Sequence, residues 1–246
     1  MTQPPSPLHQ ILVKIQEMKA KNERALCVFD LDSTLFDVSP RIEKILLEFA
    51  ENEANQQRFP EYIQYFKGIT TRRTDWGVKD SLMRAGLDGD HPELQEAVRQ
   101  FWIERFFSNE YLQYDVPYEG AVDYVQRLFQ IGCDIVYLTG RDVFRMGRGS
   151  EEILRKWQFP MEARAHLVLK PHREMEDAPF KTNWFARPEV AAYDKVWFFE
   201  NEPVNINHLR AKNAKVEVVF FDSTHSRKER PPEDVQKIIH YIIDGE

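Results

Sequence analysis

Two aspartates two residues apart, Asp30 and Asp32, end an apolar run that begins at Ala25. The stretch ALCVFDLDSTLFD fits a buried parallel strand as far as Phe29, then a polar turn carrying Ser33 and Thr34. Carboxylates this close lose hydration, and each raises the other's pKa unless positive charge intervenes. A divalent cation together with a phosphate-bearing substrate would complete such a pair. A bare DxD would read as an Asx turn. The apolar residues before it and the hydroxyl pair after it favour the chemical reading.

Three other strand-like runs also end in polar clusters. Residues 134–138 lead into Thr139, Gly140 and Arg141, and residues 166–169 end at Lys170. Residues 195–199 stop at Glu200, Asn201 and Glu202. In an open α/β sheet, chemistry gathers beyond the carboxyl ends of the strands. Phosphoryl transfer needs a nucleophile, cationic groups around the phosphoryl oxygens and a proton donor for the leaving group. Asp30 suits attack on phosphorus, giving an aspartyl phosphate. Asp32 would protonate the leaving oxygen and later activate water, with its main-chain carbonyl turned towards a metal. Ser33, the Thr139 hydroxyl, the N–H groups of Gly140 and Arg141, and a lysine would hold the phosphoryl oxygens. Glu200 would complete a Mg²⁺ site with hard oxygen.

The elements that must position these groups alternate. An amphipathic helix is expected over 8–23, with Leu8, Ile11, Leu12, Ile15 and Met18 on one face. From about 40 to 115 the pattern is helical, over 41–52, 75–85 and 92–107, with Gly86, Asp88, Gly89 and Asp90 marking a turn. The α/β pattern resumes near 117. Helices are expected over 119–130, over 150–157 with Ser150 as N-cap, over 204–212 and over 233–243. The last strand is expected over 216–221. The fold class is therefore α/β, a Rossmann-like parallel sheet with an inserted all-helical lobe. Residues 1–37 and 116–246 form the core and 38–115 the insertion.

Composition narrows the partners. The 246 residues can bury a sizeable core, and a net charge of −7 argues against broad nucleic-acid binding. No apolar stretch is long enough for a bilayer, and the N-terminus lacks a signal-peptide pattern. Cys27 and Cys133 sit in apolar runs as free thiols, which points to a reducing, cytoplasmic setting. A small phosphorylated metabolite is the expected partner, and the oligomeric state stays open.

Asp30-Leu31-Asp32-Ser33-Thr34 resembles the first motif, DxDx[TV], of the haloacid dehalogenase (HAD) superfamily, and Leu138-Thr139-Gly140-Arg141 resembles its second. The resemblance covers about 25–222 apart from the insertion. It implies a HAD-like core with the first strand central, a C1-type cap for the insertion, and Mg²⁺ at Asp30, Asp32, Glu200 and Asn201. The segment LVLKPHREMEDAPFK resembles one in some HAD phosphatases, which makes Lys181 the motif lysine and Lys170 a second phosphate contact. The fourth motif departs from the usual two aspartates: Glu200 stands first and uncharged Asn201 second, with Glu202 and Asn205 as substitutes. The implied activity is a Mg²⁺-dependent phosphatase acting on a small phosphomonoester. The alternatives are a phosphomutase or phosphotransferase of the same superfamily, or a non-catalytic phosphate-ligand-binding protein.

Overall fold

The computed structural model describes residues 6–87 and 89–243. Asp88, expected in a turn, lies outside the described residues. Six parallel strands form the main sheet: β1 (Ala25–Phe29), β4 (Asp134–Asp142), β5 (Ala165–Lys170), β6 (Lys195–Glu200), β7 (Val216–Phe221) and β8 (Gln236–Ile238). Their order is β5-β4-β1-β6-β7-β8, so β1 lies inside the sheet between β4 and β6. The strands are hydrophobic on both faces because helices cover both. Cys27, Phe29, Tyr137, Trp197 and Phe199 face one cluster, closed by α1 (Pro7–Ala20), α7 (Ala121–Gln130) and α8 (Val143–Lys156). Leu26, Val28, Leu138 and Phe198 face the other, closed by α9 (Asp177–Phe185), α10 (Pro188–Ala191) and α11 (Pro203–Lys212).

The insertion is helical, as its periodicity predicts. It contains α2 (Ser39–Glu51), α3 (Glu53–Arg58), α4 (Ile63–Phe66), α5 (Lys79–Arg84) and α6 (Pro92–Phe106), then a 3₁₀ turn at Asn109–Tyr114. Ile42, Leu46, Phe49, Phe66, Leu94 and Val98 belong to a hydrophobic cluster of the lobe's own. Its two ends are tied by a short antiparallel ribbon of β2 (Phe36–Asp37) and β3 (Val116–Pro117). Asp37 accepts the Ser39 amide at 2.8 Å, as expected for a group at the start of the helix.

Two expected elements differ. The helix placed from Ser150 begins at Val143, and its cap is Asp142, whose carboxylate accepts the Arg145 amide at 3.0 Å. Ser150 is buried in the helix interior. The helix expected over 233–243 is replaced in part by β8, which pairs with the open side of β7. There Ile238 and Tyr241 are buried, while Ile239 and Ile242 stay exposed. An available strand edge outweighed a helical spacing of isoleucines, a tertiary effect that local pattern does not contain. Gly120 makes this ending possible: at φ +76° its missing Cβ leaves room for the Tyr241 main chain, which a Cβ would meet at 2.6 Å.

Candidate active site

The apolar strand β1 holds its register with β6 one residue beyond its end, through the Asp30 amide and the Phe199 carbonyl (3.0 Å). The chain then turns sharply. The Leu31 carbonyl accepts the amides of Thr34, Leu35 and Phe36, and Ser33 takes φ +62°. This turn leaves Asp30 buried at the strand tip and Asp32 on the wall of a cavity of ≈ 630 Å³, between the strand ends and the helical lobe.

Asp30 belongs to a buried triad. Lys181, reaching from α9, donates to Asp30 Oδ1 at 2.6 Å and to Glu200 Oε2 at 2.7 Å. Thr34 Oγ1 lies 3.3 Å from Asp30 Oδ2 and 3.0 Å from Asn201 Oδ1, and its single proton serves one of them at a time. Glu200 Oε1 accepts the amides of Asn201 and Glu202, both at 3.0 Å, and Oε2 also accepts Asn205 Nδ2 at 3.0 Å. Burial pushes the Asp30 carboxyl up to about 8; Lys181 works against that shift and the Glu200 charge adds to it. The Lys181 ammonium is opposed by burial, yet the carboxylates of Asp30 and Glu200 outweigh that and hold it well above the usual lysine range.

Asp32 belongs to a second network. Arg141 donates to it through Nε (2.8 Å) and Nη2 (2.9 Å), and Arg41 Nη2 also reaches it. Arg141 Nη2 continues to Asp115 at 2.7 Å, and Arg41 Nε faces Asp115 Oδ1 at 2.9 Å as an ion pair without hydrogen-bond alignment. Arg41 also stacks on Phe106, 3.9 Å from the ring centre. Burial alone would raise the Asp32 carboxyl, but the guanidiniums of Arg141 and Arg41 hold it well below the usual carboxylate range. Burial raises Asp115 to about 6 against the same two cations.

The expected residues therefore divide. Asp30, Lys181, Glu200 and Asn201 come together, with Asp32, Ser33, Gly140 and Arg141 on the same cavity. Lys170 does not join them: it donates to Asp177 (2.6 Å) and the Met175 carbonyl (2.9 Å). The Thr139 hydroxyl is buried and accepts the Arg141 amide at 3.2 Å, closing its own turn. Gly140 leaves room for Asp177, whose carboxylate a Cβ would strike. Glu202 accepts from Val204 and Ser226, so its carboxylate serves the start of α11. Arg41 and Asp115 were not singled out from the sequence. Their signal is a charge beside the apolar face of α2 and an acid where the insertion rejoins the core.

No curated protein matches the sequence. Solved structures match the fold at low identity. A HAD-superfamily hydrolase from Ehrlichia chaffeensis has a TM-score of 0.51 at 9% identity, covering 89% of this chain and 93% of that one. A HAD-superfamily hydrolase of subfamily IA, variant 1, from Geobacter sulfurreducens PCA gives 0.52 at 14%, with the same coverage of 89% and 93%. A hydrolase from Streptococcus pneumoniae TIGR4 gives 0.50 at 15%, covering 82% and 94%. The family model for haloacid dehalogenase-like hydrolases matches residues 25–175, which is more than half of the sequence. With β1 inside the sheet and Asp30 at its tip, the chain belongs to the haloacid dehalogenase-like hydrolase family.

Proposed function

We propose that the protein is a Mg²⁺-dependent phosphatase that hydrolyses a small phosphomonoester through an aspartyl phosphate on Asp30. The observation that carries this reading is the buried triad: two carboxylates share one ammonium at the edge of a ligand-sized cavity. The lobe over 38–115 acts as the cap that covers the site, and the segments on either side of it form the catalytic core.

Hydrolases of this family generally use a divalent metal ion. Donor chemistry here fits a hard cation: the carboxylates of Asp30 and Glu200, the Asn201 amide oxygen and the Asp32 main-chain carbonyl are all oxygen. Charge fits as well, because the triad is one positive charge short of balance. Among the described residues no cluster of three acidic, histidine or cysteine side chains frames a metal position, so the side-chain charge comes from Asp30 and Glu200 alone. Bound there, Mg²⁺ would keep Asp30 ionised and offset charge on the phosphoryl oxygens.

The rest is done by the chain's own groups. Asp30 Oδ2, held among the described residues by the Thr34 hydroxyl, attacks phosphorus as the ester O–P bond breaks. Lys181 keeps Oδ1 oriented and offsets charge on the transferred group. Arg141 lines the cavity, so an incoming phosphoryl group competes with Asp32 for its guanidinium. Once that guanidinium turns to the substrate, Asp32 keeps Arg41 alone and binds a proton more readily, which it gives to the leaving oxygen. Water then attacks the aspartyl phosphate, Asp32 takes its proton, and inorganic phosphate leaves with Asp30 restored.

The test is hydrolysis of an aryl phosphate with Mg²⁺. Asp30→Asn should lower kcat by about a thousandfold or more, and EDTA should stop the wild type. Wild-type rates in the variant would overturn the mechanism. A second reading, a phosphate-ligand-binding protein, has one observation in its favour: four protein donors already occupy the two oxygens of Glu200. Aluminium fluoride with Mg²⁺ should be trapped at Asp30 by a catalyst, and failure to trap it would favour the binding protein.

A further inference from the structure

The cavity has two unlike walls, with Glu176, Asp177, Ser226 and Lys228 also on its lining. On the sheet side, charged and amide groups converge: Asp30, Asp32, Arg141, Lys181, Glu200 and Asn201. On the lobe side the lining is Val38, Ile42, Trp76, Trp102 and Phe106, continued by Phe107 just past the end of α6. Trp102, Phe106 and Phe107 touch one another. Ring centres lie 4.7 Å apart for Trp102 and Phe106, 5.0 Å for Phe106 and Phe107 edge-on, and 5.7 Å for Trp102 and Phe107. The Trp102 indole nitrogen is itself buried, so ring carbons make the wall.

Among the described residues the lobe contributes one ionisable group to the lining, Asp75, and it is ion-paired with Arg84. Its oxygens accept the Arg72 amide (2.8 Å), the Ser81 hydroxyl (2.9 Å) and both terminal nitrogens of Arg84 (2.6 Å each). Burial would raise it, but Arg84, the Arg72 amide and Ser81 together hold it below the usual carboxylate range. Oδ2 takes three of these donors and Oδ1 one, so Asp75 is turned mainly to its own lobe. A sugar, glycerol or nucleoside group placed against the rings of this wall would give up water at each hydroxyl and gain no partner from them. Among the described residues, the charge that a charged group would meet on the lobe side is that of Asp75, already paired with Arg84.

We propose that the phosphomonoester taken by this site carries an uncharged, aromatic or similarly bulky apolar group on its ester oxygen, seated against Trp76, Trp102 and Phe106. The proposal rests on the phosphatase reading only for the phosphate end; the wall stands on its own geometry. Aromatic rings gain from contact with other rings beyond the area they bury, so a ring is the preferred occupant.

Two non-hydrolysable probes test the wall without catalysis. With Mg²⁺ present, benzylphosphonate should bind about tenfold or more tightly than methylphosphonate, as burial of a ring requires. Trp102→Ala should remove most of that preference. Trp76→Ser, at a half-exposed position with little bearing on folding, should weaken it too. In turnover, benzyl phosphate should exceed glycerol 3-phosphate in kcat/KM by a similar factor, since both release primary alkoxides of comparable basicity. Equal affinity of the two phosphonates, no binding of either, or faster turnover of glycerol 3-phosphate would overturn the proposal. A binding preference with no hydrolysis of any phosphomonoester would instead sink the phosphatase reading and leave the wall assigned. Hydrolysis without preference would do the reverse.

Discussion

Two charge clusters stand side by side at the strand tips, built from similar parts and balanced differently. Asp30, Lys181 and Glu200 set two carboxylates against one ammonium. Asp32, Asp115, Arg41 and Arg141 set two carboxylates against two guanidiniums. The second cluster is complete, and its members come from the lobe, the end of the insertion and the sheet, so it reads as a clamp between lobe and core. The first is one positive charge short in a place water hardly reaches; burial raises the Asp30 carboxyl, Lys181 only partly offsets this, and the Glu200 charge adds to it. Balance marks the part that ties lobe to core, although Asp32 and Arg141 within it also face the cavity; imbalance marks the part to which the proposed function assigns a cation and a substrate.

The largest break in this contrast should come from the triad. Lys181→Ala leaves Asp30 and Glu200 without their shared cation, and kcat should fall by about 10²–10³. Steady-state kinetics would show it, and near-normal turnover would remove Lys181 from the site. The clamp should respond in stability instead. Asp115→Ala leaves two buried guanidiniums facing Asp32 alone and should cost about 3–5 kcal/mol in urea unfolding. A cost near zero would mean that the clamp does not hold the lobe.

A smaller effect separates the clusters by pH. A carboxyl whose folded pKa is about 8 keeps a proton that the unfolded chain has already lost above its ordinary range. The metal-free protein therefore loses stability on this group as pH rises from about 4 to 8. Asp30→Asn should remove that slope, so its advantage in Tm over wild type should be larger at pH 8 than at pH 5, by roughly 7–14 °C if the whole shift is felt. Added Mg²⁺ should stabilise the wild type more than the variant at pH 8. The opposite slope would mean that the triad already carries enough positive charge. Smallest of all should be Lys170→Ala. Asp177, its partner, is half-exposed, so the pair is worth about 1 kcal/mol or less. Activity after that change should stay far above that of Lys181→Ala.

Much of this was legible in the sequence because its signals are local. An apolar run ending in DxD can hardly be anything but a strand tip. Glu200 follows from the same logic, at the end of another strand, whereas Lys181 lies inside a helix and is reached only through the resemblance of its segment to one in other HAD phosphatases. Periodicity exposed the helical lobe because that lobe has its own hydrophobic cluster. What stayed hidden depends on partners far along the chain. β8 exists because β7 offers an edge, and no window around Gln236 contains that edge. Arg41 and Asp115 look like ordinary helix and linker charges until folding brings them together on Asp32. Residue type alone does not separate the two lysines; their geometry does, since Lys170 turns to the start of α9, while Lys181 reaches between the carboxylates.

The most direct measurement is chemical trapping. The protein is mixed with Mg²⁺ and an aryl phosphate carrying a radiolabelled phosphoryl group, quenched in acid during turnover and digested. The label should be found on the peptide that contains Asp30, acid-stable and released by hydroxylamine, and should be absent from Asp30→Asn. Steady hydrolysis with no protein-bound label, or label retained in the variant, would contradict an aspartyl phosphate at the triad.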